Sequence, residues 1–114
     1  MFKLSMDKDD IYKRHILDAI AKIERYINGV DQKKFAVDEL VQDGVVRELE
    51  IIGEAVKRLS AKFKTRAPEL PWKAIAGTRD ILIHEYISVD VEIVWKTIKD
   101  DLPILKAALL KPEK

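Results

Sequence analysis

Cysteine is absent from the 114-residue chain. That excludes disulfides and thiolate metal sites. Histidine is nearly absent: His15 and His84 are the only two, far apart in sequence, so a zinc site built within one chain is not expected. Glycine and proline are scarce at four each, and aromatics make up 7%, which leaves little of the turn and strand chemistry that sheets need. No uncharged apolar run approaches ~18 residues, so no membrane-spanning helix is expected. The opening MFKLSMDKDD lacks the apolar stretch of a signal peptide, and a cytoplasmic location follows as the expectation. An excess of one charge sign is missing too. The formal net charge is +1, so the overall field does not point to nucleic acid.

What is present favours helices. Hydrophobic residues are 47% and charged residues 36% of the chain, with Ile, Leu, Ala, Glu and Lys prominent. The length suits one domain over residues 1–114 with a single modest core. Tyr12, Ile16, Ile20, Ile23 and Ile27 recur every three or four residues, which predicts a first helix from about Asp9 to Asn28. Gly29 follows as a stop, and Asp31 is placed to cap a short turn through Phe35. Leu40, Val41, Val45, Leu49, Ile52, Val56, Leu59 and Phe63 keep the same period, predicting a second helix from near Asp38 to near Lys64. Gly44 and Gly53 lie inside it, where a glycine allows another helix close approach. Pro68 and Pro71 end the pattern, and Pro71 can open a short helix through Ile75.

Thr78 is a plausible cap for a helix over RDILIHEYI, and Ser88 or Asp90 for the next. The final stripe is Val91, Val94, Trp95, Ile98, Leu102 and Leu105, with Pro103 expected to kink it or to begin a new helix after Asp101. The fold expected is all-α: an antiparallel bundle of four to five helices, forming a two-fold homodimer that buries leftover apolar stripe. Lys57, Arg58, Lys62, Lys64 and Arg66 form a run with no acidic residue. Such a run can contact phosphate, and it also suits helix C-termini, where cations complement the dipole. His15 reads as a surface residue, since nothing near it in sequence gives it a catalytic partner.

The stretch GTRDILIHEY, residues 77–86, concentrates chemistry. On a helix, Asp80 and His84 lie about 40° apart and can touch, and Arg79 and Tyr86 lie about 20° apart, two turns along one line. Arg79 and His84 are about 140° apart, able to border one cleft but not to share a stripe. Two copies meeting across a two-fold axis would supply paired histidines and arginines. These residue types suit RNA cleavage. Histidine can take a proton from the 2′-hydroxyl or give one to the leaving 5′-oxygen. Arginine offers a charged fork to phosphoryl oxygens. Asp80 can fix the imidazole tautomer. No metal or other cofactor is called for, and DNA lacks the hydroxyl this route uses. An Arg-x4-His pair arises by chance about one time in ten in such a chain, and the added tyrosine cuts this to roughly one in a few hundred.

The segments RELEIIGEAVKRLS (47–60), PELPWKAIAGTRDILIHEY (68–86) and VDVEIVWKTIKDDLPIL (89–105) resemble, in order, those of the HEPN superfamily. Within it they resemble the HepT-like toxins paired with a minimal nucleotidyltransferase antitoxin. The likeness runs from about Tyr12 to Leu105. The resemblance implies a metal-independent endoribonuclease toxin, a homodimer with a composite cleft, and catalytic Arg79 and His84. It also implies neutralisation by transfer of AMP to Tyr86. Two residues depart from the pattern: Asp80 and Glu48 each stand where asparagine is common. The alternatives are a non-catalytic HEPN module that binds a nucleotidyltransferase partner or a nucleotide, and a purely structural helical dimer.

Overall fold

The computed structural model describes residues 7–77 and 90–111. Every regular element among them is helical. Helix α1, Lys8–Tyr26, starts at Asp7, whose carboxylate accepts from the Asp9 backbone N–H, and buries Ile16, Ala19, Ile20 and Ile23. Gly29 then takes the left-handed conformation, φ 77°, which glycine adopts without a steric cost. Asp31 caps α2, Gln32–Val37, through a 2.8 Å bond from the Lys34 N–H. Phe35 is 1% exposed, its ring 5.2 Å from that of Trp95.

Asp38 closes α2 and caps α3, Glu39–Arg58, accepting from the Val41 N–H at 3.1 Å. Gln42 ties the corner further by donating to the Phe35 carbonyl at 2.7 Å. Helix α3 turns Val45, Leu49, Ile52 and Val56 into the core, and Gly53 is buried as well. Gly44 answers the expectation of close approach: a Cβ there would sit 3.2 Å from Cε2 of Tyr26.

The second long helix is shorter than its apolar period predicts. It ends at Arg58; Leu59 is extended (ψ 141°) and Ser60 caps a separate turn, α4, Ala61–Lys64. The cause lies 51 residues away in sequence. The Asp9 carboxylate accepts both the Ser60 N–H, at 2.8 Å, and its hydroxyl, at 2.6 Å. The Ser60 oxygen in turn accepts from the Phe63 N–H. Leu59 and Phe63 are still buried, so the period survives a break in the backbone.

Trp72 anchors the next corner, its indole N–H donating to the carbonyls of Lys64 and Ala67. Residues 72–77 form α5, opened by Pro71, whose carbonyl accepts from the Ile75 N–H. Asp90 caps α6, Val91–Lys96, and a π-helical turn, Thr97–Asp101, leads into α7, Leu102–Leu109. Pro103 explains that turn. Proline has no N–H to donate and its ring crowds the carbonyl four residues back. A wider turn, in which the Leu102 N–H donates to the Thr97 carbonyl, lets the helical path continue.

The helices pack as a bundle around one core. Helices α1 and α3 are antiparallel, with Asp9 meeting Ser60 at one end and Tyr26 meeting Gly44 at the other. Helix α7 joins α1 through a 3.0 Å ion pair between Lys106 and Glu24, and α6 meets α2 through Trp95.

Two predictions test these joints. Asp9→Ala removes both bonds to Ser60 and should cost about 1–2 kcal/mol of stability, read by urea or thermal unfolding. Asp38 has its pKa lowered by the Val41 N–H first and by Lys34 next. A carboxyl whose folded pKa is depressed contributes stability above its unfolded pKa and loses it as pH falls through the folded value. Asp38→Asn should therefore flatten part of the acid-side fall in melting temperature below about pH 4.

Candidate functional site

Arg79, Asp80, His84 and Tyr86, together with the expected caps Thr78 and Ser88, lie outside the described residues. The flanks of that segment are described, and both are firmly held. On one side Trp72 is pinned by two hydrogen bonds and packs edge-on against Phe63. On the other, Asp90 accepts from the Glu92 and Ile93 N–H groups, and Val94 and Ile98 are buried behind it.

The basic run follows the helix-end expectation. Lys57 and Arg58 occupy the last turn of α3, and Lys62 and Lys64 that of α4. Arg58 pairs with Glu54 at 3.1 Å, and the Arg66 guanidinium sits 4.8 Å from the centre of the Phe63 ring.

A second place with polar chemistry opens between α1 and α3. There a groove of about 400 Å³ is lined by Tyr12 and His15 from one helix and Arg47, Glu50, Glu54 and Arg58 from the other. Ile51 and Ala55 form its apolar floor. Helical spacing explains the set. Tyr12 and His15 are three apart, and Arg47, Glu50, Glu54 and Arg58 follow at three, four and four, so each group shares a face. His15 is exposed, with its ring edge-on to Tyr12 at 5.9 Å. Arg58 has its pKa raised by the Glu54 carboxylate and by the Tyr12 phenol, so it stays charged. Arg47 is exposed and makes no ion pair or hydrogen bond to another described residue.

Sequence reading missed this grouping because its two halves, on α1 and α3, stand more than 30 positions apart. The one available signal was the pair of helical faces, which means nothing until α1 and α3 are known to be neighbours.

Glu48 is the buried charged side chain among the described residues, at 6% exposure. It lies on the same stripe as Gly44, Ile51 and Ala55, between the Tyr26 contact and the groove. A separate apolar cavity of about 180 Å³ lies between α3, α5, the π-helical turn and α7, lined by Leu49, Ile52, Leu70, Ile75, Leu102 and Leu105 among others. Among the described residues no cluster of His, Asp or Glu could hold a metal ion, and no helix is long and apolar enough to cross a membrane.

Residues 16–111 match the family model described as ribonuclease HepT-like. The chain belongs to the HepT-like ribonuclease family. That places it in the HEPN superfamily, as its segments suggested, and the family's activity class is RNA nuclease. The HepT-like chain is 44% identical over 103 residues to a "Probable ribonuclease HepT" of Thermococcus cleftensis, covering 90% of this chain and 94% of that one. It is 43% identical over 107 residues to a Methanocaldococcus jannaschii protein named as a gamma-glutamylcyclotransferase and candidate RNase, covering 93% of this chain. The HepT-like chain spans about half (48%) of that relative's length. A candidate RNase of Caldanaerobacter subterraneus is 42% identical over 95 residues, covering 83% of this chain and 85% of the relative. No solved structure gave a significant match.

Proposed function

We propose that this HepT-like chain is a metal-independent endoribonuclease toxin, with Arg79 and His84 as its catalytic pair and Tyr86 as its switch. The observation that carries the reading is the Arg79-x4-His84-x-Tyr86 motif, which falls inside the 16–111 span matched by the family model. The chemistry fits the residue types. An imidazole accepts the 2′-hydroxyl proton as that oxygen bonds to phosphorus, and the bond from phosphorus to the 5′-oxygen breaks as that oxygen gains a proton. The products are a 2′,3′-cyclic phosphate and a 5′-hydroxyl. Arg79 stabilises the charge gathering on the phosphoryl oxygens, and Asp80 orients the His84 ring. One chain carries one such histidine, so a homodimer that faces two motifs across its axis supplies both the base and the acid.

Regulation follows from Tyr86. A minimal nucleotidyltransferase antitoxin joins the tyrosine phenol oxygen to the α-phosphorus of ATP and releases pyrophosphate. The AMP group brings negative charge and bulk beside Arg79 and His84, which repels and occludes an RNA phosphate.

Two experiments decide the matter. The purified protein should cleave single-stranded RNA with EDTA present, and His84→Ala and Arg79→Ala should each lower the rate at least about a hundredfold; full activity in His84→Ala would overturn the assignment. After coexpression with the nucleotidyltransferase, intact mass should show added AMP that disappears in Tyr86→Phe, whereas adducts that persist would put the acceptor elsewhere.

A further inference from the structure

We infer that the groove between α1 and α3 is a nucleotide subsite for single-stranded RNA, separate from the Arg79–His84 motif in sequence and serving to hold the strand. The inference rests on the ribonuclease reading for its choice of ligand, and on geometry for everything else.

Three kinds of group converge there. Tyr12 and His15 bring ring surfaces to one wall, and unstacked bases of single-stranded RNA rest on such rings. Arg47 and Arg58 bring guanidinium groups to the facing wall. Their states differ. Arg58 is tied to Glu54 at 3.1 Å, while Arg47 is uncommitted among the described residues and is the one free to take a phosphate as a planar fork. Glu50 and Glu54 are half-buried in the same groove and can accept from the exocyclic amine of a base. The volume of about 400 Å³ falls in the range of small-molecule sites.

The charge balance narrows the ligand. Two arginines face two glutamates, so the groove is no track for a polyanion. It fits a single nucleotide: one phosphate on Arg47, one base against the rings and the carboxylates. A plain solvated face would also carry mixed charge. It would not be expected to gather both rings of a helix turn, apolar lining from Ile51 and Ala55 and a guanidinium uncommitted among the described residues into one concavity.

The test is binding of a short fluorescent single-stranded RNA with 2′-O-methyl groups throughout. That probe lacks the attacking hydroxyl, so the measurement does not depend on cleavage or on the motif being catalytic. Fluorescence anisotropy on the full chain should show Arg47→Ala raising Kd about tenfold. The salt dependence of its log Kd should fall by about 0.7, the value of one lost phosphate contact on a single strand. His15→Ala, at an exposed position, should raise Kd about fivefold, and Arg47→Lys should restore most of the salt slope. In cleavage assays on unmodified RNA the Arg47→Ala loss should fall in KM more than in kcat. The inference is overturned if the wild-type chain does not bind the probe, if Kd stays within twofold in both alanine variants, or if Arg47→Ala weakens antitoxin binding while leaving RNA binding intact. Failure of the motif assignment shows separately, as cleavage that survives His84→Ala.

Discussion

The antiparallel contact between α1 and α3 fixes the register on which the other elements depend. It is the most extensive helix–helix contact among the described residues, and it is pinned at both ends by interactions that do not tolerate sliding. At one end the Asp9 carboxylate holds both the N–H and the hydroxyl of Ser60. At the other the Tyr26 ring packs on Gly44, where a Cβ would come to 3.2 Å from it. A slip of one helical turn moves the partners by about 5.4 Å, which breaks the first contact and drives a Cβ into the second. Between the pins, buried Ile16, Ile20 and Ile23 join Val45, Leu49, Ile52 and Val56 in one core. Burial of each such side chain contributes roughly 1.5–3 kcal/mol. The same register sets Tyr12 and His15 opposite Arg47 and Arg58, so the polar groove follows from the pairing.

The elements that sequence reading places well are those whose cause is local. The α1 stripe, the left-handed stop at Gly29, and the caps at Asp31 and Asp90 each depend on residues within a turn or two, and each is found where its chemistry puts it. The π-helical turn before Pro103 is of the same kind: the proline announces a disturbance, though not whether the helix kinks, restarts or widens. The end of α3 is different. Leu59 and Phe63 keep the apolar period and are buried as the period demands, yet the chain between them breaks because Asp9, from the far end of α1, captures Ser60. Periodicity reports which side chains face the core and cannot report a backbone interrupted on the solvent side.

His15 carries the same lesson for function. In sequence it stands between Arg14 and Ile16 with no chemical partner and reads as a surface residue, and it is exposed. What its neighbours in sequence do not report is that the α1–α3 contact sets it in the same groove as an arginine 32 positions later. The motif at 79–86 was legible for the opposite reason. Its members are packed into eight residues, so residue type and an assumed helical angle suffice to propose a chemistry, and the match over residues 16–111 supports the family without testing that site.

Net charge makes the placement of single groups matter. At +1 the chain exerts little long-range pull on RNA, and among the described residues four of its cations are held by partners: Arg58 by Glu54, Lys34 by Asp38, Lys106 by Glu24, Arg66 by the Phe63 ring. Affinity for a nucleic acid normally scales with the number of phosphates neutralised. For a chain with no excess of cations, the placement of each one therefore matters more than the total. A strongly basic nuclease would scarcely notice one added phosphodiester. In a nearly neutral one, the same added charge is large beside a net charge of +1. Low net charge would thus make a single-residue modification, of the kind proposed for Tyr86, an effective means of control.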